Sequence, residues 1–147
     1  MRNLSEHFTL EEMCRTSVKG FNNIPNGAQT NNLKRLCGWL ERLRHEWNNR
    51  YGDGDDPIII NSAFRSPSIN KAVGGSSTSN HLSGCAADIR VQGMEQLMRY
   101  ATILLDISDR IKEDFDELLM ERKGNSLWLH FAVRSENNRR KVVFLSV

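Results

Sequence analysis

The sequence predicts a single-domain α+β fold, and three observations carry that reading. Two long stretches, residues 30–47 and 94–111, repeat apolar side chains at helical intervals. Short β-branched or alternating segments lie between and after them, and two of these read as a hairpin. At 147 residues, with 39% hydrophobic and 26% charged residues, the chain has the size and composition of one ordinary globular domain, residues 1–147.

In chain order, residues 5–13 read as a short helical start, where Thr9 and Glu12 have the spacing of a capping box. Residues 21–29 contain Asn22-Asn23, Pro25 and Gly27, a loop composition. Over residues 30–47, Leu33, Leu36, Cys37, Leu40, Leu43 and Trp47 share one face of the longest amphipathic helix. Gly52-Asp53-Gly54-Asp55-Asp56-Pro57 breaks it, and Ile58-Ile59-Ile60 reads as a buried strand. Residues 65–79 form a polar connection with Gly74-Gly75-Ser76-Ser77, long enough in so small a domain to suggest a functional loop. A strand is expected over 86–91. A helix follows over 94–111, with Leu97, Ala101, Leu104 and Leu105 on one face. Residues 115–122 and 127–133 pair around Lys123-Gly124-Asn125-Ser126, and residues 142–145 supply a last strand.

Several function classes fall away on composition. A net charge of +2 is too mild for a nucleic-acid binder, which needs a clustered basic face. The one basic run, residues 134–141 with Arg139-Arg140-Lys141, reads as a solvated loop, with attraction for an anionic polymer as its other reading. Cys14, Cys37 and Cys85 are odd in number and lack CxxC spacing, which does not describe a disulfide framework. No apolar run approaches 18 residues, so no membrane span is expected. The first residues lack the apolar core of a signal peptide, so the product is expected to be cytoplasmic as made.

The chemistry concentrates in Ser79-Asn80-His81-Leu82-Ser83-Gly84-Cys85-Ala86-Ala87-Asp88 and, downstream, in Trp128-Leu129-His130. Two imidazoles and one carboxylate are the ligand set of a zinc site that keeps its fourth position open. On a straight helix His81 and Asp88 would stand roughly 10 Å apart, and on a straight strand roughly 23 Å apart. Neither suits a shared ion held at about 2 Å by each ligand. The segment must therefore fold back, and Gly84 is where the backbone can take the left-handed conformation a reversal needs. Cys85 lies between the two candidates but, among small residues, reads as a buried filler.

Hairpin geometry tests the third ligand. With Gly124-Asn125 in the turn, Glu121 faces Trp128 and Leu119 faces His130. Glu117, Glu121, Trp128 and His130 then share one face, while Leu118, Met120, Leu127, Leu129 and Phe131 form the other. One polar wall bearing acids and a histidine suits the side of a cleft.

These residues resemble the zinc D-alanyl-D-alanine carboxypeptidase family. Its relatives include the vancomycin-resistance D-Ala-D-Ala dipeptidases, phage endolysins that cut peptidoglycan peptides, and the signalling domain of hedgehog proteins. The motif Ser-x-His-x6-Asp followed by Trp-x-His is matched by Ser79, His81, Asp88, Trp128 and His130. Further likeness lies in Ser5-Glu6-His7-Phe8-Thr9, Asn23-Ile24-Pro25, Leu43-Arg44, Asn61-Ser62-Ala63-Phe64-Arg65-Ser66-Pro67, Asn70-Lys71-Ala72-Val73-Gly74-Gly75 and Phe115-Asp116-Glu117-Leu118-Leu119. It runs over residues 4–133 and is similar to the compact, single-domain branch. The resemblance implies a hedgehog/DD-peptidase-like fold: a small, mostly antiparallel sheet, helices on one side, and a zinc site in the cleft.

The same resemblance implies Zn2+ held by His81, Asp88 and His130. It gives Arg65 to the substrate carboxylate or the oxyanion, and Ser79, Trp128 and Gly74-Gly75 to the substrate-binding rim. The dipeptidases carry a glutamate three residues before the last histidine, and Leu127 stands there in this chain. The compact branch places the acid on the preceding strand, which selects Glu121 as general base, with Glu117 as the alternative. The implied reaction is hydrolysis of a peptide bond in peptidoglycan stem peptides or other D-Ala-containing peptides by a zinc-activated water, as carboxypeptidase or endopeptidase. A monomer of the endolysin type, reaching the wall after lysis, fits the missing export signal. Two other readings stand beside it: a non-catalytic, zinc-stabilised binding module of the hedgehog type, and a phage structural protein with a vestigial site.

Overall fold

The computed structural model describes residues 2–147. Its elements are α1 (Leu10–Met13), α2 (Gly27–Arg50), β1 (Ile60–Ser62), α3 (Pro67–Ala72), β2 (Ala86–Arg90), α4 (Met94–Ile111), β3 (Glu117–Lys123), β4 (Ser126–Ala132) and β5 (Lys141–Ser146). The strands form one sheet in the order β1-β2-β4-β3-β5. Every pairing is antiparallel except β3 with β5, which is parallel. This is the α+β class expected, with a mostly antiparallel sheet.

The helices α2 and α4 cover one face of that sheet because both carry an apolar stripe. Leu33, Leu36, Cys37, Leu40, Leu43 and Trp47 of α2 are all buried, as are Leu97, Ala101 and Leu104 of α4. Trp39 packs 5.4 Å from Phe131 and edge-on to Phe115, and Trp47 meets Tyr100 of α4 at 5.0 Å. Leu118, Leu129 and Phe131 answer from the sheet, so the other sheet face is left free for polar side chains. None of the described helices is long and apolar enough to cross a membrane.

Local capping explains where the sequence reading of boundaries went astray. Asn26 accepts from the Gln29 amide and Gln29 bonds back to the Asn26 amide, both at 2.8 Å, so α2 starts at Gly27 inside the stretch read as loop. At α1 Thr9 Oγ1 accepts from Glu12 N, as the spacing of the box predicts. The connection over 65–79 is not irregular throughout. Ser66 caps α3 through Ile69 N and Pro67 occupies its first turn, a start signal that the polar composition masked. The first strand lies two residues later than the isoleucine run, at Ile60–Ser62, and Ile59 is 40% exposed. By contrast α4 has the expected bounds, and the hairpin has the expected register, Glu121 opposite Trp128 and Leu119 opposite His130.

Candidate metal centre and cleft

Residues 79–84 form a tight reversal, with Leu82 N donating to Ser79 O, Gly84 N to His81 O and Cys85 N to Asn80 O. Gly84 sits at φ +76°, and a Cβ there would lie 2.6 Å from the carbonyl oxygen of Gln29 on α2. Both the conformation and the close helix approach demand glycine. Gly84→Ala is therefore expected to destabilise the fold by about 2 kcal/mol, measured by urea unfolding. An unchanged midpoint would show that the reversal tolerates a side chain.

The reversal returns the chain along β2, where Asp88 stands directly opposite His130 of β4. One donor atom each from His81, Asp88 and His130 lie within 4.8 Å of one another. His81 Nδ1 donates to Ala63 O at 2.6 Å, which leaves Nε2 facing Asp88 Oδ1 at 3.4 Å. His130 Nδ1 meets the same Oδ1 at 3.1 Å. Two imidazole nitrogens thus converge on one carboxylate oxygen, and this N,N,O donor set fits Zn2+. Cys85 is buried and lies outside the cluster.

Each donor is held from behind. Arg65 donates to Asp88 Oδ2 at 3.2 Å, to Asn70 Oδ1 at 3.2 Å and to Ser62 Oγ at 3.2 Å. Glu117 Oε1 accepts from His130 Nε2 at 3.0 Å and from Asn80 Nδ2 at 2.7 Å. Ser79 Oγ accepts from the His81 amide at 3.1 Å. Such outer partners fix ring orientation and ligand basicity in metal sites. Gly75 lets the loop after α3 pass over this layer, since a Cβ there would lie 2.1 Å from Asn70 Oδ1 and 3.0 Å from Arg65 Nη1.

The cleft around the cluster measures about 550 Å³, and Arg65, Gly75, Ser79, Glu117, Glu121 and Trp128 are among its lining residues. Trp128 Nε1 donates to Glu121 Oε2 at 2.6 Å, fixing that carboxylate across the hairpin. The two glutamates are therefore differently employed: Glu117 holds a histidine, whereas Glu121 keeps Oε1 uncommitted among the described residues. Leu127 packs with the core on the opposite face of β4.

Charge follows the same division. Burial of Asp88 opposes ionisation, but the His81 charge and the hydrogen bond from His130 hold its pKa well below the usual carboxylate range. Burial would lower the pKa of His130, yet its bonds to Asp88 and Glu117 raise it to about 9. Glu117 is lowered: burial works against this, but the His130 bond and charge prevail. Glu121 goes the other way, raised chiefly by burial.

Three features escaped the sequence reading. Asp116 is fully buried, and it binds Arg139 through the backbone amide, Nε and Nη2, Asn80 through Nδ2 and Arg134 through Nε. Asn80 joins Asp116, Glu117 and Arg134 beside His81. The run over 134–141 is a largely exposed loop up to Lys141, as read, but long-range partners absent from its own sequence neighbourhood also collect its arginines. The only sequence hint was the polar pair Asp116-Glu117 closing an apolar approach at Phe115.

Comparison with known proteins agrees with this geometry. A family model described as Peptidase M15 matches residues 6–108. The chain is 50% identical over 86 residues to the zinc D-Ala-D-Ala carboxypeptidase of Streptomyces albus G, a stretch that is 56% of this chain and 31% of that protein. The chain thus matches about a third of that relative's length. The family match contains His81 and Asp88, while Glu121 and His130 lie beyond it on the hairpin.

Proposed function

Because the chain belongs to the peptidase M15 family, we propose that it is a zinc-dependent peptidase acting on D-alanine-containing peptides of the peptidoglycan class. The observation that supports this most is the convergence of His81 Nε2, Asp88 Oδ1 and His130 Nδ1 beside a separately held carboxylate, Glu121. In this reading the three converging residues hold Zn2+. Bound there, the ion supplies Lewis acidity toward a carbonyl and lowers the pKa of a coordinated water.

The remaining chemistry belongs to the chain. Glu121 accepts a proton at Oε1 from the attacking water and returns it to the leaving amine, with Oε2 kept in place by Trp128. Its raised pKa moves it toward the range where a carboxylate both takes and gives a proton effectively. Glu117 orients the His130 ring, and Ser79 holds the His81 backbone. Arg65 anchors Asp88 and brings a guanidinium charge to an oxyanion formed beside it. The extended substrate lies along the cleft wall of β3 and β4, with Trp128 and the loop carrying Gly75 as its rim.

The test is metal content measured with product release. Purified protein is expected to hold one zinc per chain and to liberate D-alanine from a peptide ending in D-Ala-D-Ala, as read by amino-acid analysis. His81→Ala, Asp88→Ala and His130→Ala should each lose the metal. A His130→Ala protein that retains one zinc per chain would overturn the ligand assignment.

A further inference from the structure

The cleft has two unlike ends. Along β3 the residues facing it are Glu121, Leu119 and Glu117; Trp128 stands opposite the first, His130 opposite the second, and Lys141 of β5 opposite the third. Glu121 thus marks one end, and the other is walled by Arg134, Arg139 and Lys141, all of which line the cleft. The local acids neutralise this wall only in part. Asp116 is saturated by the inner edges of the two arginines, and Glu117, whose Oε1 is occupied by His130 and Asn80, brings Oε2 within 3.5 Å of Arg139 Nη2, so three cations face two carboxylates. Both Nη atoms of Arg134, Nη1 of Arg139 and Nζ of Lys141 have no partner among the described residues.

The wall is also rigidly built. Arg140 and Asn137 take left-handed backbone, φ 49° and 58°, which costs side-chain-bearing residues free energy and persists only where the surroundings enforce it. Arg140 N donates to Phe115 O at 2.9 Å, and its guanidinium binds Ser108 and Asp109 and lies 5.3 Å from the Phe115 ring centroid. Asn138 closes the loop through both backbone groups of Arg134. Arg140 therefore engages the helical layer while Arg139 and Lys141, on either side of it, line the cleft.

We propose that Arg134, Arg139 and Lys141 form a carboxylate-binding subsite, so that the preferred substrate is a peptide carrying a free carboxylate within one or two residues of the scissile bond. This rests on the cleft being the peptidase site. The spacing follows from the strands. Glu117 lies two residues along β3 from Leu119, the partner of His130, which is roughly 7 Å. One or two residues of extended peptide span that distance, at roughly 3.5 Å each. Arg65 is ill suited to the same task, because Asp88, Asn70 and Ser62 already take its Nη2, Nη1 and Nε. Two arginine edges and a lysine match a carboxylate by charge and by hydrogen-bond direction.

The carboxylate can be the chain terminus or an acidic side chain, and three peptides separate the two: acetyl-D-Gln-D-Ala-D-Ala, acetyl-D-Glu-D-Ala-D-Ala-amide and acetyl-D-Gln-D-Ala-D-Ala-amide. Binding to metal-free protein is measured by calorimetry, which needs no turnover. One of the two acids is expected to bind at least about tenfold tighter than the neutral amide, and which one names the source. Arg134→Gln and Lys141→Gln should each erode that preference severalfold. Lys141 has no side-chain partner to lose, so its variant remains informative if Arg134→Gln fails to fold. Acids that bind no tighter than the amide, or a preference unchanged in a folded Lys141→Gln protein, would overturn the subsite. Zinc-loaded protein that cleaves while showing no acid preference sinks the subsite alone. An acid preference without any cleavage sinks the peptidase reading alone.

Discussion

Glu121→Gln is expected to keep one zinc per chain and to lose peptide hydrolysis by about 10²- to 10⁴-fold, the usual worth of a positioned general base. The amide oxygen of glutamine can still accept the Trp128 indole hydrogen bond now made to Oε2, so the side chain should stay where it is. What it cannot do is carry a proton. None of the three converging donors is touched, so metal content should not change. Glu117→Gln is the informative contrast. Its amide oxygen can still accept from His130 Nε2, but the negative charge that makes that imidazole more basic is lost, so zinc affinity should weaken by about 10-fold and activity should fall through the metal. Zinc titration and D-alanine release on both variants separate the roles. Full turnover by Glu121→Gln would return the base to another group. A zinc-loaded wild type inert toward every peptide would instead favour the non-catalytic binding module. That module was attractive because position 127 carries no acid. Leu127 is partly buried against the core on the opposite face of β4, so the cleft must take its acid from elsewhere in any case.

The legible parts of this molecule are those governed by local periodicity. A two-residue turn fixes strand register, so the pairing of Glu121 with Trp128 followed from Gly124-Asn125 alone. The reversal at Gly84 followed from the demand that His81 and Asp88 share an ion. Long-range polar contacts left no such trace. Asp116 reaches Asn80 and Arg139 across 36 and 23 residues, and nothing near any of the three announces the others. Parallel pairing of β5 with β3 was hidden for a related reason: a strand's sequence shows its alternation but not its neighbour's direction. The basic run was legible as an exposed loop but not in its pairings, since a charge's distant partner leaves no local trace. The site was therefore legible in its donors and its face, but not in the buried carboxylate that braces one end of it.

That brace predicts a large stability effect. Asp116→Ala is expected to cost about 2 kcal/mol, because it leaves Asn80 without its acceptor at a buried position, while the two arginines, a third to a half exposed, fall back on solvent. For a chain of this size the loss corresponds to a fall of roughly 5 °C in Tm, read by thermal unfolding. Acid should reproduce part of it. Burial favours the neutral acid, but hydrogen bonds from Arg139 and Asn80 and the charge of Arg134 hold the folded-state pKa at about 2, below the ordinary 3.8. A group lowered on folding stabilises the folded state fully above its unfolded pKa, and that contribution disappears as pH falls from about 4 toward 2. The wild type should thus lose stability over that interval, and Asp116→Asn, already lacking the charge, should show a shallower acid limb. Equal acid limbs in the two proteins would place the carboxylate in solvent. A steeper wild-type limb, together with weakened peptide binding by Asp116→Asn, would tie the basic wall and the stability of the fold to the same buried carboxylate.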